Sequence, residues 1–329
     1  MAKMTASAQM FKLDVNGKLL VTTWDRTFRI GRVSFRSMES YLHPIKPLSA
    51  TAPVAIGGVG GSGTRVVAHL LRELGFDIGH DLNESLDDLC FTALFKRQAL
   101  WPPEEHAEEL QESLEAFLSA RHQLVPSGTT ELEHRQRAEV MIEKLVAEDA
   151  WQEHGTASER LPALQQVGTD KAYWGWKEPN THIFLPYLLR ALPNMKYIHV
   201  IRSGLDMAFS ANQAQLALWG EALLDRPVDP TSPEDSFSYW CAAHDRLLSF
   251  LPFARERMFL LRFESLLMQP DLVLREVARF LSLDINDQVR ARWQGALRVP
   301  TSLGRHSEQP TINIEQDQSK LLAQFGYSI

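Results

Sequence analysis

Apolar positions along this chain follow two periods in turn, and their order predicts the fold. Between residues 10 and 36, "MFKLDV" and "LLVTTWDRTFRIGRVSF" alternate apolar and polar on either side of "NGK". Such alternation predicts strands, and Asn16-Gly17 predicts a tight hairpin turn. "LHPIKPLSATAP" follows as a proline-punctuated connector. Val54–Ile56 is a short apolar run of the kind a buried strand requires. After a run of glycines, Val66, Val67, Leu70, Leu71 and Leu74 recur at helical spacing, and Gly75 stops that helix. "FDIGHDLNESLDDL" reads as a second short strand turning into a helix.

Residues 104–122 and 131–154 are charged and amphipathic, and predict two helices linked by "PSGTTE". From Tyr173 the segments shorten. "YWGWKEP" predicts a strand or loop, "NTHIFLPYLLRALP" a helix, "KYIHVIR" a buried strand, and "SGLDMAFSANQAQ" the opening of another helix. "SFSYWCAAHDRLLSFLPFAR" predicts an amphipathic helix, "RMFLLRFESLL" a strand, and "PDLVLREVARFLSL" a helix with proline in its first turn. Alternating strands and helices with short links imply an α/β fold, a mostly parallel sheet with helices on both faces. The predicted organisation is an N-terminal β-extension over 1–45 and one α/β domain over 46–329, with a helical insertion at about 100–160.

Composition narrows the class. The 329 residues are 44% hydrophobic, enough for a large core, and the net charge of -7 argues against nucleic acid as a partner. The only cysteines, Cys90 and Cys241, form no CxxC and no Cys/His cluster with zinc-ligand spacing, which fits a reducing compartment or simple independence of disulfides. No secretory signal, and no apolar run approaching the ~20 residues of a membrane span, is legible, so a cytoplasmic protein is expected.

The glycine run carries the chemistry. "GGVGGSGTR" stands between a predicted strand and a predicted helix, a layout that aims backbone N–H groups and a helix N-terminus at an anion. Gly58, Gly60 and Gly63 satisfy the dinucleotide fingerprint, and Asp77 lies at a suitable distance for a ribose contact. Gly58 and Gly63 also begin a Walker A pattern, as in a small-molecule kinase, but Thr64-Arg65 follow where that pattern needs lysine and a hydroxyl. A third reading is a phosphosulfate-binding loop, with Ser62 and Thr64 adding hydroxyls and Arg65 adding charge. Five glycines between Gly57 and Gly63 exceed what a plain turn requires. Further on, "YIHVIRSGLDMAFS" places Arg202 at the end of a strand and Ser210 eight residues later. A helix opening near Leu205 would return Ser210 towards that strand end, where both side chains can hold one phosphate.

Taken in order, "GGVGGSGTR", "KEP", "HVIRSGLDMAFS" and "LLRFESLLMQPDLVLREVARFLSL" resemble the sulfotransferases that use 3′-phosphoadenosine-5′-phosphosulfate, PAPS. The similar parts run from about Val54 to Arg305. The resemblance implies a P-loop-like three-layer fold. It implies that Gly60, Gly61, Ser62, Gly63, Thr64 and Arg65 bind the 5′-phosphosulfate and that Arg202 and Ser210 bind the 3′-phosphate. "SLGRH" resembles the late basic loop of that family, with Arg305 as donor and Gly304 as backbone contact. PAPS is then the donor, no metal is required, and the acceptor is a hydroxyl or amine of a small molecule, carbohydrate or lipid.

One departure stands out. Many such enzymes carry lysine or arginine in the loop to stabilise the leaving phosphate, and the matching position here is Gly61. Lys177 in "GWKEP" is the expected substitute, with Arg65 as the alternative. A base must also accept the acceptor's proton. Glu84 in "HDLNESLDD" is the first candidate, His80 and Asp81 come next, and His182 and Glu178 are further ones. Tyr173, Trp174 and Trp176 suit either stacking on an acceptor or core packing.

Overall fold

The computed structural model describes residues 9–13, 19–23, 52–122, 131–147, 156–166 and 173–328. Strand β1 (Gln9–Leu13) pairs antiparallel with β2 (Leu19–Thr23), from Gln9 opposite Thr23 to Leu13 opposite Leu19. This is the hairpin that the alternation predicts. Its Asn16-Gly17 turn, residues 24–36 and most of the connector lie outside the described residues.

The main sheet is parallel and has four strands: β3 (Val54–Gly58), β4 (Gly175–Lys177), β5 (Lys196–Ile201) and β6 (Met258–Arg262), in the order β4-β3-β5-β6. The chain divides into two compact units. Met1–Leu42, Val59–Gly63 and Ile198–Ile329 form one, and His43–Gly58 with Thr64–Tyr197 form the other.

The unit containing β3 and β4 holds helices α1 (Thr64–Glu73), α2 (Leu89–Phe95), α3 (Ala107–His122), α4 (Glu131–Ala147), α5 (Leu161–Leu164) and α6 (Leu185–Ala191). Helix α1 buries Val67, Leu70 and Leu71, the stripe its spacing predicts. Gly175 sets the approach of β4 to β3: a Cβ there would stand 2.0 Å from the Val54 carbonyl oxygen, so only glycine fits. Trp176 stacks on Phe91 at 5.3 Å and meets Phe117 edge-on at the same distance. Trp174 and Trp176 are therefore core side chains, each contributing on the order of 1.5–3 kcal/mol by burial, whereas Tyr173 is half exposed.

Two predicted elements of this unit differ. The segment after α1 is not a full strand; it makes a single parallel bridge, Asp77 to Trp174. The Asp77 carboxylate accepts the Gly79 N–H at 2.9 Å, and this local turn curls the backbone off the ladder. The helix predicted after "KEP" begins as a 3-10 turn over Pro179–Ile183 and becomes α6 only at Leu185. Pro186 cannot donate to the preceding turn, so the α-helix starts afresh beside it.

The other unit holds α7 (Gly204–Ala208), α8 (Ala214–Leu224), α9 (Pro233–Ala254), α10 (Phe263–Met268), α11 (Pro270–Leu281), α12 (Asp287–Ala296) and α13 (Gln316–Gln324). The single helix expected from "SGLDMAFSANQAQ" is split into α7 and α8. The Gln213 side chain donates to the Met207 and Ser210 carbonyls at 3.1 and 2.9 Å, replacing the backbone donors that a continuing helix would supply. Among the described residues no helix is long and apolar enough to cross a membrane.

Candidate functional site

The loop Val59–Gly63 joins β3 to α1, and its glycines have distinct tasks. Gly61 and Gly63 adopt φ of +86° and +97°, a region that side chains strain to enter. A Cβ on Gly63 would also lie 2.2 Å from the Phe263 ring. Gly63→Ala is expected to lower stability by about 1–3 kcal/mol, measured by denaturant unfolding. The Gly60 N–H donates to Gln215 Oε1 at 3.1 Å, and the Ser62 N–H to the Val59 carbonyl at 3.0 Å. These bonds hold the loop's shape. The Ser62 hydroxyl is 1% exposed and has no partner, although a buried hydroxyl ordinarily finds one.

Arg202 closes β5 and is buried. Its Nη1 donates to the Gly61 carbonyl at 3.5 Å, and its Nη2 to the Ser302 carbonyl and, at 3.1 Å, the Ser302 hydroxyl. The guanidinium lies 5.6 Å from the centre of the Phe263 ring. Ser210 sits past the end of α7, in a turn closed by its N–H to the Met207 carbonyl at 2.9 Å. It reaches the loop nonetheless: a Cβ on Gly61 would lie 3.5 Å from the Ser210 hydroxyl.

The late segment folds onto the same place. Gly304 takes φ of +74°, and its N–H donates to Asp206 Oδ2 at 2.7 Å. His306 contacts Asp206 Oδ1 through its N–H at 3.2 Å and its ring Nδ1 at 2.6 Å. Burial pushes the Asp206 carboxyl up, but His306, the two amides and Arg202 outweigh it and hold the group below its ordinary value. Asp206 lies in the first turn of α7, and its task is to anchor the Gly304–His306 segment. That anchoring brings Arg305 in, with Nη1 donating to the Phe209 carbonyl at 3.1 Å and Nε to the Ser302 carbonyl at 3.3 Å. Burial and then the Arg202 charge depress the Arg305 pKa. Two guanidinium groups thus crowd one turn.

In the other unit, Lys177 ends β4 level with Ile56 of β3. Its ammonium donates to the Ser85 carbonyl at 3.1 Å and forms an ion pair with Asp87. Asp87 escaped the sequence reading, since one acid in "NESLDD" looks like another. Asn83 singles it out: its Oδ1 accepts the N–H groups of Ser85 and Asp87, each at 2.9 Å, and its Nδ2 donates to Asp87 Oδ2 at 2.9 Å. Neither Asn83 nor Asp81 caps the next helix; Asp88 does, accepting the Phe91 N–H at 3.1 Å.

The base candidates separate by exposure. Glu84 and His80 are exposed, while Asp81 pairs with Arg160 at 3.0 Å. His182 and Glu178 are buried at 3% exposure. Burial and then Asp87 push the Glu178 carboxyl up to about 7, and Asn180 donates to it at 2.7 Å. Thr64 is buried at the start of α1, and Arg65 beside it is exposed.

A family model described as "Sulfotransferase family" matches residues 53–287. No curated relative is found by sequence. Among solved structures the chain is similar to the sulfotransferase domain of the Synechococcus PCC 7002 olefin synthase, at 14% identity over 87% of this chain and 99% of that one, with a TM-score of 0.46. It is similar to the sulfotransferase domain from the curacin biosynthetic pathway at 16% identity, over 85% and 99%, with a TM-score of 0.43. A sulfotransferase from Alicyclobacillus acidocaldarius stands at 15% identity, over 85% and 98%, with a TM-score of 0.41. The family match spans most of the chain and includes the glycine loop, Lys177, Arg202 and Ser210: the chain belongs to the sulfotransferase family.

Proposed function

We propose that the protein transfers the sulfuryl group of PAPS to a hydroxyl or amine of a small-molecule, carbohydrate or lipid acceptor. The observation that carries this reading is the crowding of Arg202 and Arg305 at the turn bearing Ser210, beside Gly61 of the glycine loop. Asp206, paired with Arg202 at 3.5 Å, balances one of these charges, and a phosphate dianion would balance the other while accepting bidentate bonds. The partnerless Ser62 hydroxyl and the Gly61 and Gly63 N–H groups suit a second anion at the loop. The residues therefore fit a nucleotide with phosphate at both ribose ends.

When bound, PAPS supplies an activated sulfuryl group on its 5′-phosphate. In this reading Arg202, Arg305 and Ser210 hold the 3′-phosphate. Gly304 shapes the segment that carries Arg305, its own N–H being directed to Asp206. Gly60–Arg65 cradle the 5′ end. Lys177, charged and oriented by Asp87, offers positive charge to the departing phosphate oxygen. Glu84 or His80, both exposed, takes the acceptor's proton. Glu178 is buried against Asn180, which sets it apart from a base open to the acceptor.

Calorimetric titration with adenosine 3′,5′-bisphosphate (PAP), the donor's product, tests the reading. Arg202→Ala is expected to weaken binding about tenfold to hundredfold, the cost of losing charge-assisted bonds. No binding to the wild-type chain at millimolar nucleotide would overturn the proposal. Transfer of labelled sulfate from PAPS into cell-extract fractions would then identify the acceptor.

A further inference from the structure

Two glutamines spaced two residues apart at the start of α8 reach different parts of the candidate site. Gln213 Nε2 donates to the Met207 carbonyl at 3.1 Å and the Ser210 carbonyl at 2.9 Å, so it clamps both ends of the turn bearing Ser210. Its Oε1 accepts the Ser236 hydroxyl of α9 at 2.8 Å. Ser236 in turn contacts the Met207 carbonyl at 3.3 Å, which closes the network. Gln215 Oε1 accepts the Gly60 N–H at 3.1 Å and the Tyr239 hydroxyl of α9 at 3.4 Å.

Ser236 and Tyr239 lie three residues apart, on one face of α9. Trp240 next to them donates its indole N–H to the Arg202 carbonyl at 3.1 Å. One helix face thus sets the register of the glycine loop against the strand end at Arg202 and the Ser210 turn that follows it. Ser236 and Tyr239 are buried at 5% and 2%, so water competes little for these bonds.

We propose that Gln213 and Gln215 are positioning residues that divide the nucleotide between them. Gln213 sets discrimination for the 3′-phosphate by fixing the Ser210 turn, and Gln215 sets affinity for the 5′ end by fixing Gly60. This rests on the donor reading above. The chemistry demands an amide at position 213. Gln213 must donate to two carbonyls and accept a hydroxyl at once, which a carboxylate cannot do. The substitution Gln213→Glu therefore aims negative charge at two carbonyl oxygens while keeping the side chain's size.

The test is calorimetric titration of the full chain with two probes, PAP and adenosine 5′-phosphate, the latter lacking the 3′ group. Gln213→Glu is expected to reduce the ratio of the two affinities about tenfold, chiefly by weakening PAP. Gln215→Leu is expected to weaken both probes by a common factor and leave their ratio unchanged. Ser236→Ala, a milder cut in the same network, should move the ratio in the direction of Gln213→Glu, which keeps the proposal testable if that variant does not fold. Loss of fold alone lowers the active fraction, not the ratio of affinities. An unchanged ratio in folded Gln213→Glu or Ser236→Ala, with wild type still preferring PAP, overturns the division of labour. Wild-type protein that binds neither probe overturns the donor reading and this proposal with it.

Discussion

Lys177→Ala is expected to lower kcat by about two to three orders of magnitude while changing PAP affinity by less than about threefold. The split between the two readouts follows from where the charge acts. A group that stabilises the departing oxygen is needed most when charge builds there, so its loss falls on the chemical step. Lys177 ends a strand that pairs in parallel with β3, with its ammonium oriented by Asp87 and the Ser85 carbonyl. Lys177→Arg is expected to restore activity only in part, because a planar fork does not reproduce a compact ammonium seated between two oxygens. Steady-state transfer of labelled sulfate, with PAP titration alongside, checks both variants. Loss of thermal stability with kcat intact would show the Lys177–Asp87 pair to be purely structural.

Acidification is expected to destabilise the protein through a buried histidine pair that takes no part in the proposed transfer. His199 on β5 and His244 on α9 are fully buried, with their Nε2 atoms 3.4 Å apart. His244 Nδ1 lies 2.7 Å from the Trp240 carbonyl, which can only accept, so Nδ1 carries the proton and Nε2 is the acceptor for His199. Burial holds the His244 pKa down to about 4 from 6.5, against a smaller opposing pull from the Trp240 carbonyl. The folded-state pKa lies below the unfolded one, so the unfolded chain binds more protons between those values. The contribution is complete above pH 6.5, declines as pH falls towards 4, and amounts to about 3 kcal/mol. Denaturant unfolding between pH 7 and 4 should show a shallower decline for His244→Phe than for wild type. Equal slopes would overturn the assignment.

The candidate site was legible in proportion to how local its signals are. The glycine loop announces itself because five glycines in so short a run leave little other use for them. Arg202 is found because a buried strand ending in arginine is uncommon without a task. Ser210 lies beside the glycine loop but in a turn rather than in the helix expected to carry it, since the Gln213 clamp that ends α7 acts from side chain to backbone and leaves no periodic trace. Trp174 and Trp176 were open between core and acceptor contact, because a three-residue strand is too short for alternation to assign a face. Glu84 and Asp87 looked alike until the Asn83 turn pointed one to Lys177 and left the other in solvent.

The sequence by itself determined most of the strands and helices, the glycine loop and the family, because periodicity, glycine content and motif order are properties of neighbouring residues. The tertiary structure alone decided the partners. Gly60 finds Gln215 across 155 positions, Asp206 finds Gly304 across 98, and Lys177 finds Asp87 across 90. A polar side chain far along the chain has many possible partners of equal chemistry. Only packing decides which of them comes within hydrogen-bond reach, and with that choice it orients the charges on which the proposed transfer depends.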